Sequence, residues 1–427
     1  MHFKANPFLL VTLVLFTMVA CKEQSQPSKK EQMKTEKTAA DILGNPQYQA
    51  ISYGGYRFKS REKQPSIAQL KEDLYLLHAM GIRVLRTYNV QLPHASNLLE
   101  AIRQIRAEKP DFEMYVMLGA WIDCLNAWTD LAPNHDLESP DNAAEIERAV
   151  ALANKYPEIV KVLAVGNEAM VKWATSYYVQ PEVILKWVTY LQELKKEGKL
   201  PKELWITSSD DYASWGGGDA SYHNDDLEKL IKAVDYISMH TYPYHNTHYN
   251  PEFWYVPEAH AEIPDLTKIE MAMERSLQFA QKQYDSVTNY MKSVGVNKPV
   301  HIGETGWASV SNGQYGPNGS RATDEYKQGL YYNLMRDWTN KNKISCFYFE
   351  AFNEQWKDAR NSKGSENHFG LFTIDGRAKY PIWDLVDQGI FEGLTRDGKP
   401  IRKTYKGKKD SLMKDVLEPP LKTAVLN

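Results

Sequence analysis

The sequence predicts an α/β chain that closes as a (β/α)8 TIM barrel, and three observations carry that expectation. Short apolar runs rich in β-branched residues alternate eight times with stretches of helical periodicity, the pattern of parallel strands joined by right-handed crossovers. The span they occupy, residues 47–391, is long for one domain yet within the range of such a barrel. The turn after the first run, Ser52-Tyr53-Gly54-Gly55-Tyr56, lacks the Gly-rich phosphate loop that an open doubly wound sheet would carry there.

The first strand is expected over 50–58, followed by a helix on which Ile67, Leu70, Leu74 and Leu77 recur at helical spacing, with Ser66 as cap and Gly81 as stop. The second strand is expected at 83–89 and the third at 113–120. The fourth, 160–168, leads to a helix at 181–196 that gathers Val183, Trp187, Val188 and Leu191 on one face and ends at Gly198. Strands five to eight fall at 204–209, 235–242, 300–305 and 344–352, with long helical patterns at 266–294 and 323–339 between the last three. Beyond Phe391, residues 392–427 form a basic tail read as a strap or a loose terminus.

The carboxyl ends of barrel strands converge on one crater, so polar residues there have a shared destination. Arg86, Tyr88 and Asn89 end the second strand, Asn167 and Glu168 the fourth, His240 and Tyr242 the sixth, and Glu304 the seventh. Glu350, Asn353 and Glu354 lie at or beyond the eighth. Two acids at strand mouths, Glu168 and Glu304, suit cleavage of a glycosidic bond, which needs one carboxyl to protonate the leaving oxygen and another to attack the anomeric carbon or activate water.

Composition narrows the partners. A net charge of −3 gives no support to nucleic-acid binding, while 11 Trp and 26 Tyr exceed what a core requires and suit a groove that stacks sugar rings. His240, His245 and His248 lie close together, but their spacing matches no compact zinc motif, and neither metal nor cofactor is expected. Cys124 and Cys346 lie in or beside different strands and read as buried free thiols. The aromatic segment 244–264 either walls the cleft or packs on the side of the barrel. Trp215-Gly216-Gly217-Gly218 reads as a flexible loop near the mouth.

At the amino terminus, Lys4 precedes an apolar stretch that is too short to span a bilayer and ends at Met18-Val19-Ala20-Cys21. The pattern resembles a bacterial lipobox. That resemblance implies a signal segment at 1–20, lipidation of Cys21 and anchoring to the outer membrane on its surface or periplasmic face, while the polar composition of 21–46 reads as a tether that cannot bury enough surface to fold, and a monomer is expected.

Val165-Gly166-Asn167-Glu168-Ala169 and Ile302-Gly303-Glu304-Thr305-Gly306-Trp307, with Arg86-Thr87-Tyr88, Thr241-Tyr242-Pro243-Tyr244 and the segment from Phe349 to Lys357, resemble in order the motifs of glycoside hydrolase family 17, retaining β-1,3-glucanases of the (β/α)8 clan. The resemblance covers nearly the whole barrel. It implies that Glu168 is the acid/base and Glu304 the nucleophile, that Asn167 bonds the 2-hydroxyl of the sugar being cleaved, and that Tyr242 donates to the nucleophile. It implies further that Tyr88, Trp307 and Phe349 line the cleft. Glu354 and Lys357 either bond substrate or form an ion pair below it, and Arg86 either touches substrate or supports the site. Ala308 stands where the family often has Pro. The expected activity is endo-acting hydrolysis of laminarin-type β-1,3-glucan. A glucanosyltransferase using the same residues and a non-catalytic glucan-binding lipoprotein are the alternatives.

Overall fold

The computed structural model describes residues 36–425; the signal segment, Cys21 and most of the tether lie outside them. Eight parallel strands close into a barrel in the order β1-β8-β7-β6-β5-β4-β3-β2. They are β1 Gln49–Ser52, β2 Ile82–Arg86, β3 Tyr115–Ala120, β4 Val160–Asn167, β5 Trp205–Asp211, β6 Ile237–His240, β7 Val300–Gly306 and β8 Cys346–Phe349. Between them run α1 Ile67–Ala79, α2 Pro93–Glu108, α3 Asn142–Lys155, α4 Pro181–Lys196, α5 Asp225–Ala233, α6 Asp265–Ser293 and α7 Glu325–Lys341.

Local chemistry sets the boundaries. Ser66 caps α1 reciprocally: its hydroxyl accepts from the Gln69 amide at 3.2 Å while the Gln69 side chain accepts from the Ser66 amide at 3.1 Å. α4 opens on Pro181 and buries Ile184, Trp187, Val188, Leu191 and Leu194. Strand 1 stops at Ser52, well short of the expected residue 58. Tyr53 turns inward instead, donating to Asp73 at 2.9 Å, and Arg57 grips the same carboxylate at 2.7 Å.

Two apolar layers hold the barrel. The outer one lies between strands and helices, with residues such as Leu74, Leu98, Ile184 and Met335. The inner one fills the barrel with Ala50, Val84, Met117, Val162 and Phe347, and it includes Ala39, Ile42 and Leu43. The tether expectation is therefore corrected at its end: Ala39–Ile42 is a helical turn, capped by Thr38, that stoppers the amino-terminal end of the barrel.

The tail is a strap and not a loose terminus. A hairpin of Thr395–Arg396 with Lys399–Pro400 buries Arg396, whose Nε donates to Asp73 on α1 at 3.0 Å. Further along, Lys327 on α7 donates to the Leu417 carbonyl at 2.7 Å. Of the two loops singled out in the sequence, one takes the second of its two expected placements and the other departs from its expectation. Trp254 is fully buried, its indole N–H on the Ser320 carbonyl at 2.7 Å, so this part of 244–264 packs into the barrel's flank. Trp215 is buried likewise, bonded to the Ser238 carbonyl at 3.0 Å, with Gly216 pressed against Tyr290 of α6, so the glycine segment is not a mobile mouth loop. Cys124 and Cys346 are both buried and unpaired. No helix among the described residues is long and apolar enough to cross a membrane.

Candidate active site

The end of β4 is turned toward the crater by its own glycine. Gly166 takes φ +80° where the β4–β5 register shifts between Ala164 and Asn167. A side chain there would sit 2.8 Å from the Ala169 Cβ, so the position needs both the conformation and the space of glycine. Glu168 itself adopts φ +48°, with its N–H on the Ser209 carbonyl at 3.0 Å. A left-handed non-glycine residue is costly, and surrounding structure holds it there.

Glu304, at the mouth of β7, is buried and fully engaged. Its Oε2 accepts from Arg86 at 2.7 Å and from the Tyr88 hydroxyl at 2.6 Å, while its Oε1 accepts from the Tyr242 hydroxyl at 2.7 Å. Arg86 also donates to the Asn167 side-chain oxygen at 2.6 Å. This bond fixes the orientation of the Asn167 amide and leaves its nitrogen, with no partner among the described residues, for a ligand. His240 lies between the two acids, its Nδ1 3.1 Å from Glu168 Oε1 and its Nε2 2.8 Å from the Ser209 hydroxyl. One oxygen of each glutamate and a nitrogen of His240 all lie within 4.8 Å of one another.

Their protonation states diverge. Burial, then the charge of Glu304, push Glu168 up to about 8 against the pull of Arg86. Burial also acts against the charge of Glu304, but the His240 ring, Arg86 and the two tyrosine hydroxyls act for it and hold its pKa below the ordinary value. His240 is itself driven down to about 3 by burial and is neutral at working pH, so Arg86 and the tyrosines are what keep Glu304 ionised. A proton-bearing carboxyl therefore faces an ionised one at close range, the arrangement a retaining glycosidase uses, whose carboxyls stand about 5–5.5 Å apart against about 6.5–9.5 Å in inverting enzymes. The same three groups could surround a metal ion, but both oxygens of Glu304 and both nitrogens of His240 already have protein partners. The three histidines do not converge: His245 turns to the Tyr315 hydroxyl at 3.1 Å.

Beyond the pair, Phe349 packs edge-on to Tyr88 and Tyr242, and the Lys357 ammonium stands 3.8 Å from the Phe349 ring centre. Lys357 lies 3.5 Å from Glu354 and 3.4 Å from Glu350. Glu350 is a carboxyl that sequence reasoning placed at the strand end but not in the site. Burial raises its pKa well above the ordinary value, against the pull of Lys357. Asp210, at the end of β5, is another omission: it accepts from the Met170 amide at 2.7 Å and braces the segment after Glu168. The strand-end rule that found Glu168 applies equally to it.

Trp307 is corrected. It is fully buried, and its indole N–H donates to the Ala322 carbonyl at 2.8 Å, so it cannot stack on a sugar. It packs instead against Tyr244, Trp254 and Tyr331 beneath the crater. Tyr88 does more than line the cleft, since its hydroxyl holds the nucleophile candidate.

Comparison with known proteins agrees with this geometry. An endo-laminarinase from Formosa Hel1_33_131 superposes with a TM-score of 0.90 at 66% identity, covering 90% of this chain and 98% of that one. A glucan 1,3-beta-glucosidase of Arthroderma benhamiae is 24% identical over 73% of this chain and 83% of its own length. A probable glucan endo-1,3-beta-glucosidase btgC of Aspergillus terreus is 22% identical over 72% of this chain, which spans only 40% of that longer protein. A Rhizomucor miehei beta-1,3-glucanosyltransferase mutant in complex with laminaritriose shares the fold, with a TM-score of 0.54 at 20% identity. The family model for the BtgE/BtgC glycoside hydrolase domain matches residues 50–370, a stretch that begins in β1 and runs past β8 and so takes in both glutamates; the chain belongs to that glycoside hydrolase family.

Proposed function

We infer that the chain is an endo-acting, retaining β-1,3-glucan hydrolase in which Glu304 attacks the anomeric carbon and Glu168 first donates and then removes a proton. The observation that carries this reading is the closeness of the two carboxyls combined with their opposite protonation. The named activity of the 66% identical Formosa enzyme supports β-1,3-glucan as the substrate.

The steps follow from the contacts. Glu304, ionised and oriented by Arg86, Tyr88 and Tyr242, forms a bond to the anomeric carbon as Glu168 protonates the departing glycosidic oxygen. Covalent attachment removes the negative charge of Glu304, which had raised the pKa of Glu168. That pKa then falls, and Glu168 accepts a proton from the water that releases the sugar. The Asn167 amide nitrogen, aimed by Arg86, is placed to donate to the neighbouring ring hydroxyl. Phe349 and Tyr88 stand at the same wall, with the Lys357 ammonium over the Phe349 ring and paired to Glu354.

The test is release of reducing sugar from laminarin, with products followed over time. The Glu304→Ala and Glu168→Gln variants should each lose more than about a thousandfold in rate while staying folded; wild-type turnover in either removes the assignment. Early oligosaccharides of mixed length indicate endo action, and products longer than a supplied oligosaccharide would assign transfer to sugar instead of water. Anchoring through a lipidated Cys21 is part of the same proposal, making this a membrane-held enzyme of a glucan-degrading cell. A Cys21→Ala variant should move from the membrane fraction to the soluble fraction with its hydrolytic rate retained.

A further inference from the structure

Between β3 and α3 the chain makes an antiparallel hairpin of Cys124–Leu125 with Asn134–Glu138. Its purpose is not barrel closure. It leans on the segment that follows Glu168: the Cys124 amide donates to the Tyr177 carbonyl at 3.0 Å, and the His135 ring stacks on Tyr178 with centroids 3.7 Å apart. Where the hairpin meets that segment, three aromatic rings gather. Tyr177 has Trp121 on one side, centroids 5.2 Å apart, and Trp128 on the other, stacked at 5.1 Å. Both indole N–H groups point to Asp123 Oδ1, at 2.5 Å from Trp121 and 3.3 Å from Trp128.

A packing role alone accounts poorly for this cluster. Trp128 is 63% exposed and is held at φ +62°, with Asn126 at φ +66° two residues earlier. A bulky side chain kept in the left-handed region and in water is the reverse of what burial would select. Stacking and the indole bond to Asp123 fix the ring in place without covering it. The other oxygen of Asp123 and the Tyr177 hydroxyl have no hydrogen-bond partner among the described residues. The segment bearing Tyr177 is tied back beside the catalytic acid, the Val179 amide donating to the carbonyl of Ala169, the residue after Glu168, at 2.7 Å. The exposed ring of Trp128, pre-ordered on Tyr177 and fringed by free acceptors, matches a pyranose, whose C–H faces stack on rings while its hydroxyls bond at the edge.

We propose that Trp128, backed by Tyr177 and Trp121, is a platform that stacks a glucosyl unit of the β-1,3-glucan on the leaving-group side of the scissile bond. The side follows from the chain path. The platform is built against the segment that follows Glu168, and Glu168 delivers its proton to the leaving sugar, whereas Phe349 ends β8 and Lys357 lies beyond it. The proposal rests on the glucanase reading and deepens it by naming where the departing chain is held.

The experiment compares initial rates on laminarin for the wild type, Trp128→Ala, Trp128→Phe and Leu131→Ala, with thermal unfolding of each. Leu131 is a control: it is 64% exposed on the same hairpin but outside the ring cluster. Trp128→Ala should raise KM about tenfold with little change in kcat, the size of a lost aromatic anchor. Trp128→Phe should recover most of that loss, and Leu131→Ala should keep the wild-type KM. A Trp128→Ala enzyme with wild-type KM, or a Leu131→Ala enzyme with an equal rise, overturns the platform. A wild type that leaves laminarin uncut overturns the glucanase reading itself and takes the platform's ligand with it.

Discussion

Glu168 and Glu304 are the same residue type given opposite tasks by their neighbours. Glu304 has a guanidinium and two phenols; Glu168 has a neutral imidazole and the negative field of Glu304. The pH dependence follows from that contrast. Activity needs Glu168 protonated and Glu304 ionised, so kcat/KM should fall as pH rises through about 8 and fall again on the acid side, below the ordinary carboxylate value of 4.5. An Arg86→Gln variant should move the acid limb upward, because the cation that favours ionised Glu304 is gone, and should lose about a hundredfold in rate. A pH–rate profile measures both. Stability carries the same sign for Glu168. Its folded pKa lies above the unfolded value, so its contribution is unpenalised below pH 4.5 and worsens until pH passes about 8. The two glutamates were legible in the sequence because each ends a strand, where a parallel barrel leaves few directions to point. Trp307 was assigned to the cleft by resemblance alone; past Gly306, where β7 ends, its indole turns beneath the crater to the Ala322 carbonyl.

At the scale of elements, the strands and the long helices were readable, since burial on both faces leaves apolar runs and one-sided burial leaves a helical period. Pro181–Lys196 is found where its proline and its apolar face put it. The first strand was overextended because Tyr53, Tyr56 and Phe58 have strand propensity, although Tyr53 and Arg57 are drawn aside by a carboxylate on α1. That carboxylate, Asp73, has no visible role in the sequence because its partners come from residues 53, 57 and 396. It also organises the carboxyl-terminal hairpin, with Glu72 beside it accepting from the Asp397 amide at 2.7 Å. An Arg396→Ala variant should lose about 3 kcal/mol, the cost of leaving a buried charge short of a partner. Chemical denaturation should show this, while the KM for glucan stays near wild type. The Trp121–Trp128–Tyr177 cluster was equally invisible, because its rings meet only when the hairpin folds back on the segment after Glu168.

For the molecule as a whole, the amino-terminal stopper and the carboxyl-terminal strap extend the folded unit past the boundaries of 47 and 391 set by periodicity alone. Short segments without a repeating period leave no sequence signal, yet Ala39, Ile42 and Leu43 are buried inside the barrel's lower end. A chain beginning at residue 37 should therefore unfold like the full-length protein, whereas one beginning at residue 47 should lose several kcal/mol, about 1.5–3 for each large apolar side chain uncovered; thermal melts of the two decide this. The strap has a consequence in time as well as in space. β1 pairs with β8, and Asp73 receives Arg396 from a point more than three hundred positions further along the chain. While the ribosome is still extending the polypeptide, neither partner exists. The early strands must wait with an open edge until β8 is made, and Asp73 must wait for Arg396 until the hairpin at 395–400 is made. The fold is thus locked by a hairpin made long after the helix it grips, and a nascent chain stalled before Thr395 is a chain without that lock.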